Sequence, residues 1–129
     1  MSLISPAPVV KDGGAHHLVA SVWRPALTEI VEAFATQDYG LSHVPASVAS
    51  INPAVAEQVR KYVADYGETL VELPLDTWAT SVSQWMGTHW DVLVDLWTVE
   101  SGDSDLVLVA RVFEARGEFR IEIDSVHVP

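Results

Sequence analysis

The chain has 129 residues and a net charge of −11, because 18 Asp and Glu outnumber seven Lys and Arg. Such a surface repels phosphate groups, so we expect neither nucleic-acid binding nor binding to anionic membranes. The absence of cysteine excludes disulfides, thiolate metal sites and cysteine nucleophiles. No apolar run approaches the ~18 residues of a membrane span, and the start lacks the basic and apolar blocks of a secretory signal. We therefore expect a cytoplasmic globular protein.

The first 17 residues contain two prolines and two adjacent glycines but no periodicity. They are predicted to form an extended arm, and residues 18–129 a single domain. His16 and His17 are adjacent and lack the i, i+4 spacing of a helical ligand pair. We therefore predict solvated histidines, no metal site and no cofactor.

Two helices are predicted next. Apolar residues recur at helical spacing over residues 22–37, with Pro25 in the first turn, where its missing N–H is harmless. A second helix is predicted to begin after Asn52 as N-cap and to end at Gly67. Residues 69–73 read as a short extended segment. Residues 75–86 are ambiguous between helix and strand, and we favour a turn followed by a strand at 80–86.

The C-terminal half alternates apolar and polar residues with the period of β-strands. A strand starting at Trp90 and one ending at Phe113 are joined by an acidic turn at residues 100–104. A last strand covers residues 118–128, with a β-bulge near Asp124 and Ser125 because its apolar parity changes there. The predicted fold class is α+β, with N-terminal helices packed on a curved antiparallel sheet that ends in a meander of three to four strands.

The stretch VDLWTVESGDSDLVLVARVFEARGEFRIEIDSVHV, together with the earlier YGETL and LP, resembles a family of small bacterial proteins of unknown function. The shared pattern consists of LWT, an acidic turn with Gly, SDL, and IEID followed by HV. Relatives in this pattern tend to have a basic residue where this chain has Asp103. The resemblance implies a shape similar to cystatin-like or nuclear-transport-factor-like α+β proteins, and it implies no catalytic residue.

One strand face combines carboxylates with apolar residues, which distinguishes it from the purely apolar face of Val92, Val94 and Leu96. If the strands pair as a meander, its charged residues form either a cross-strand ion-pair ladder or a carboxylate pair suited to acid–base chemistry. The candidate functional face comprises Asp91, Asp95, Trp97, Arg111, Arg120 and Glu122.

A cavity between the first helix and the concave sheet is the alternative location for a site. Aromatic residues and one histidine are its expected lining, because ligand pockets are apolar with a few polar groups. The candidate pocket residues are Trp23, Tyr62, Trp78, His89 and Phe113.

No catalytic motif, nucleotide fingerprint or metal-ligand spacing occurs in the sequence. The main functional hypothesis is a non-enzymatic binding or interaction module, with a protein partner or a homo-oligomer, because five Trp suggest interface anchors. One alternative is a small-molecule binder or an enzyme that uses the pocket. A further alternative is an inhibitor or immunity-type protein that uses its acidic face.

Overall fold

The computed structural model describes residues 6–129, so the first five residues of the predicted arm lie outside the described residues. Two α-helices and five strands follow one another along the chain: β1 (His17–Leu18), α1 (Arg24–Ala35), α2 (Pro53–Tyr66), β2 (Val82–Trp85), β3 (Trp90–Thr98), β4 (Gly102–Ala115) and β5 (Glu118–His127). Two 3-10 helices, Ser21–Trp23 and Leu75–Ala79, precede α1 and β2.

The five strands form one antiparallel sheet in sequence order. The predicted α+β class is therefore confirmed, with five strands where three to four were expected. The additional strand, β1, comes from the end of the predicted arm, where His17 pairs with Ser83. Two residues are too few to show alternation, so only the pairing reveals this strand.

The ends of α2 follow the predicted chemistry. The side chain of Asn52 accepts a hydrogen bond from the backbone N–H of Ala54 at 2.8 Å, which is the normal role of an N-cap. Gly67 ends the helix in the left-handed conformation, at a φ of 80°. Both boundaries of α2 are thus confirmed.

Helix α1 is shorter than predicted. Residues 21–23 form a tighter 3-10 turn before it, and Thr36 closes it by donating its hydroxyl to Glu32 and Ala33 carbonyls. Gln37 then adopts a φ of 66°, which stops the helix. Pro25 lies in the first turn, as predicted.

The ambiguous segment 75–86 consists of a 3-10 turn followed by a strand, so the favoured prediction is confirmed. Side-chain hydroxyls join it to β3: Thr77 donates to the backbone carbonyl of Asp95, and Ser81 accepts from the Asp95 N–H at 3.0 Å. Strand β2 begins at Val82, directly after these hydroxyl contacts to the backbone of Asp95.

One face of the sheet packs against both helices. Along β3 every second residue from Trp90 to Thr98 is buried, and the residues between are half-buried. The buried cluster joins this face to apolar residues of α1 and α2, such as Phe34 and Val59. We call the covered side the core face and the opposite side, which is open to solvent, the outer face.

Two irregularities bend the strands. Val109 pairs with Ser125 but its neighbour Ala110 pairs with Ile123, which leaves Asp124 as the extra residue of the bulge predicted in β5. A second register shift lies between Asp95 and Trp97 of β3 and was not predicted.

The tryptophans do not form the exposed set that was expected. Trp23, Trp78 and Trp90 are 2%, 3% and 1% exposed, and Trp85 and Trp97 are half-buried. The expectation of exposed Trp anchors is therefore wrong for three of the five, because large aromatic side chains fill the space between α1 and the sheet. None of the helices within residues 6–129 is long and apolar enough to cross a membrane.

Candidate functional site

The outer face carries a row of charged residues across three strands. Asp91 of β3 is opposite Arg111 of β4, which is opposite Glu122 of β5. Arg111 lies 3.8 Å from Asp91 and 3.7 Å from Asp124, and Arg120 lies 2.8 Å from Glu122. All these side chains are more than a third exposed, so water screens each pair and its contribution to stability is small.

Asp95 stands apart from this row. It lies four residues from Asp91 on the same strand, a distance of about 13 Å at the usual strand rise. Its carboxylate accepts a hydrogen bond from the Thr80 hydroxyl at 2.6 Å. The structure therefore does not bring Asp91 and Asp95 together as a carboxylate pair with strong like-charge coupling.

A hydroxyl, an imidazole and a carboxylate are linked at the turn before β3. The Thr88 hydroxyl lies 2.9 Å from Nδ1 of His89, whose Nε2 lies 3.1 Å from Asp91. The imidazole also packs against Phe113, with ring centroids 5.2 Å apart. Such a chain can pass a proton, but Thr88 is exposed on a turn, where these contacts chiefly fix the hairpin.

An apolar row crosses the outer face beside the charged row. Leu18 of β1 is opposite Val82 of β2, which is opposite Leu93 of β3, which is opposite Val109 of β4. Leu18 is 41% exposed, and the other three are half-buried. Trp97, the last candidate of the functional face, lies further along β3 on the same side.

The five candidate pocket residues do not share one cavity. Trp78 lies in the core beneath the guanidinium of Arg24, and Tyr62 accepts a hydrogen bond from the Val128 N–H. His89 contacts Phe113 on the outer face. Trp23 and Phe113 line one groove together, and the other three candidate pocket residues lie elsewhere.

That space is a groove of about 940 Å³. It lies between the start of α1, the loop at residues 46–47 and the hairpin that joins β4 to β5. Its lining is Val22, Trp23, Ala26, Ala46, Ser47, Phe113, Glu114, Ala115, Gly117, Glu118, Phe119, Arg120 and Ile121. The sequence analysis named Phe113 and Arg120 as candidates but none of the hairpin residues between them, because their meeting with α1 depends on long-range packing.

Carboxylates at the other end of the molecule bind the chain's own groups. Glu100 accepts from the Thr69 N–H at 2.7 Å, which lowers the pKa of its carboxyl group. Glu68 accepts from the hydroxyls of Thr98 and Ser101 at 2.6 and 2.7 Å. Across the described part of the chain, no three His, Asp or Glu side chains group in a way that could hold a metal ion.

Residues 31–129 match the model of one protein family, which is described as a domain of unknown function, DUF7668. No curated protein and no solved structure matches the chain. The matched range includes strands β2 to β5 and α2, and it leaves out β1 and the start of α1. The resemblance to a family of unknown function is confirmed to this extent.

Proposed function

The chain belongs to the DUF7668 family, a domain of unknown function, and from this premise we propose that it is a non-enzymatic binding domain whose binding surface is the outer face of the sheet. The apolar row of Leu18, Val82, Leu93 and Val109 is the observation that supports this proposal. An antiparallel sheet with one solvated face normally places polar residues there. Four aligned apolar side chains instead favour a face that a partner covers.

The edges of the sheet are less suited to binding than the face. The Gln58 side chain makes two hydrogen bonds to the backbone of Val126 on β5, and residues 47–49 pair with Ile121 on the same strand. The opposite edge is the two-residue strand β1. Closed and short edges oppose the addition of a foreign strand, so recognition through side chains on the outer face is favoured.

The partner we propose is a protein, and a second copy of this chain is the first one to test. Apolar side chains in the middle with charged residues at the rim are the usual anatomy of a protein interface. Here Asp91, Arg111 and Glu122 border the apolar row with both signs of charge. A surface with both signs allows two identical faces to meet without the repulsion of a uniformly acidic one.

We also infer a bacterial, cytoplasmic protein with a cystatin-like or nuclear-transport-factor-like shape. The order of elements, with helices before an antiparallel meander, supports the proposed shape. The lack of cysteine supports a reducing compartment. The C-terminal pattern, which resembles small bacterial proteins, supports the proposed origin.

Sedimentation equilibrium at several concentrations tests the proposed binding face. We expect wild type to dimerise and Leu93→Lys to weaken the dimer at least 10-fold, because a charge then replaces the centre of the apolar row. Val99→Lys is the matched control, since Val99 is 68% exposed outside this row, and it should dimerise normally. Salt should strengthen the dimer, because two copies of an acidic chain repel each other. A strictly monomeric wild type would rule out the second copy as partner.

A further inference from the structure

A separate groove lies where the start of α1 meets the 3-10 turn Leu75–Ala79, and we call it the Arg24 groove. Its volume of about 650 Å³ falls in the range of roughly 300–1,000 Å³ typical of ligand pockets. Its lining includes Ser21, Arg24, Thr28, Glu29, Leu75 and Trp78. None of the four residues of the apolar row belongs to it, so its chemistry is independent of the proposed partner surface.

The positive charge of Arg24 has no counter-charge. Lys61 and Arg116 are exposed, so water solvates their charges. Arg24 is half-buried and makes no ion pair with any of residues 6–129, and residues 1–5 contain no Asp or Glu. The other four of the seven basic residues all pair with a carboxylate: Lys11, Arg60, Arg111 and Arg120.

The protein holds the guanidinium group of Arg24 in place. Its Nε–H donates to the carbonyl of Val19 at 3.0 Å, and its central carbon lies 5.4 Å from the ring centre of Trp78. Nη2 is buried and has no acceptor among residues 6–129, whereas Nη1 makes no hydrogen bond with these residues and is not buried. Nη1 is therefore the nitrogen that a ligand meets, and the planar group is oriented before the ligand binds.

A partly buried charge without a partner is unfavourable. Burial lowers the pKa of the Arg24 guanidinium, because the loss of water disfavours its charged form. Buried charges in proteins are normally paired with an opposite charge. An anionic group at Nη1 would supply the counter-charge that the chain does not, through a charge-assisted hydrogen bond.

The neighbours of Arg24 favour a ligand with a single negative charge. The Ser21 hydroxyl accepts from the Ala7 N–H at 2.7 Å and keeps its own hydrogen to donate. Glu29 also lines the groove, and its carboxylate repels any anion there. One cation opposed by one carboxylate compensates a dianion poorly. A carboxylate carries one charge and matches the planar guanidinium in shape.

The remainder of the groove is suited to an apolar body. Leu75 is 64% exposed, and Trp78 and Pro25 belong to the same lining. A ligand that covers Leu75 removes apolar surface from water, which is favourable. The groove therefore combines one oriented cation with an apolar wall.

We propose that the Arg24 groove binds a small monocarboxylate with an apolar body, whose carboxylate pairs with Arg24 and whose body covers Leu75. Aryl-substituted acetates are compounds of this class. This binding is additional to partner binding by the outer face, and either can be present without the other.

A suitable probe is 4-(trifluoromethyl)phenylacetate, whose fluorine NMR signal reports binding. We expect saturable one-to-one binding to wild type. The corresponding amide has nearly the same shape but no charge, and it should bind at least 10-fold more weakly because it lacks the charge-assisted hydrogen bond. In the ¹⁵N-correlated spectrum, the acid should shift the Nε–H signal of Arg24 more than those of the other arginines.

Arg24→Gln tests the role of the cation. It should weaken binding of the acid at least 10-fold and leave binding of the amide unchanged. Lys61→Gln is the matched control, because it removes the same charge from an exposed position on α2, outside the groove. It should bind the acid as wild type does. Circular dichroism shows whether each variant is folded.

Glu29→Gln tests the same site without touching Arg24. Glu29 is exposed, so its substitution leaves the fold intact and removes the repulsion of an anion. The acid should then bind about 3-fold more tightly. Asp65→Asn makes the same change of charge at an exposed position on α2 and should leave binding unchanged.

The proposal is overturned if the acid does not bind wild type, if acid and amide bind equally, or if folded Arg24→Gln binds the acid as wild type does. Should Arg24→Gln not fold, unchanged binding of the acid to Glu29→Gln overturns it. None of the substituted residues belongs to the apolar row, so sedimentation of the same variants distinguishes a failed groove proposal from a failed partner proposal.

Discussion

At the scale of single residues, the acidic side chains near the β3–β4 turn act as acceptors for the chain itself. Glu100 accepts both the N–H and the hydroxyl of Thr69, at 2.7 and 3.0 Å. Glu68 accepts the hydroxyls of Thr98, at the end of β3, and of Ser101, in the turn. These bonds join the segment after α2 to the end of β3, so part of the acidity of this chain has a structural use.

The bond between Glu100 and Thr69 predicts a stability that depends on pH. The folded-state pKa of the Glu100 carboxyl group lies below the ordinary value of 4.5, because hydrogen bonds from Thr69 favour the charged carboxylate. The associated stability is therefore present above pH 4.5 and is lost as the pH falls through the lowered pKa. We expect Glu100→Gln to be less stable than wild type at pH 7, with a difference that shrinks on acidification.

Urea unfolding of both proteins at a series of pH values measures this difference. Thr69→Val is a useful companion, because it removes the hydroxyl bond and retains the backbone N–H. It should lose less of the pH-dependent stability than Glu100→Gln does. Parallel stability curves for wild type and Glu100→Gln would contradict the prediction.

At the scale of elements, the sequence predicted both ends of α2 but not how the edge of the sheet at β5 is closed. Asn52 and Gly67 act through local chemistry, so the ends of α2 followed from the sequence. The closure of the β5 edge by Gln58 joins residues 68 positions apart. No local pattern distinguishes that glutamine from one pointing into solvent, so its role emerged only with the packing of α2 on β5.

The left-handed end of α2 gives a prediction with a matched control. Gly67→Ala should destabilise the protein by about 1 kcal/mol, because a side chain at a φ of 80° is strained. Gly40→Ala should lie within about 0.5 kcal/mol of wild type or be more stable. A Cβ at either position meets no atom within 4 Å, so only the backbone conformation differs.

Thermal and urea unfolding followed by circular dichroism compare the two alanine variants. Equal losses of stability in Gly67→Ala and Gly40→Ala would contradict the prediction, because they would show that a side chain at Gly67 causes no backbone strain.

At the scale of the whole molecule, the net charge of −11 opposes folding into a compact state. No basic residue occurs between Lys61 and Arg111, and nine carboxylates lie in that interval. Folding brings these charges closer together, so their mutual repulsion opposes it. The few ion pairs are exposed and compensate only a part of this repulsion.

We therefore expect stability to rise with salt. Raising KCl from low concentration to 0.5 M should move the urea midpoint upward, because the screening length falls below about 10 Å above 0.1 M salt. Glycerol at matched viscosity serves as a control for unspecific solvent effects. A midpoint that falls with salt would show that favourable ion pairs outweigh the repulsion.

The sequence by itself determined the elements that depend on neighbouring residues. Alternation predicted the core face of β3 and the parity change that places Asp124 in a bulge, and capping residues predicted the limits of α2. These predictions are correct because the direction of side chains in a strand and the hydrogen bonds at a helix end depend only on residues close together in the sequence.

Only the tertiary structure decided which side chains meet. The register across four strands aligned Leu18, Val82, Leu93 and Val109, and the docking of α1 against the β4–β5 hairpin created the groove at Trp23. Each depends on contacts between residues far apart in the chain, and the energy of such contacts is not encoded in any local pattern. For the same reason, the aromatic residues predicted to line one cavity are distributed between the core and both faces of the sheet.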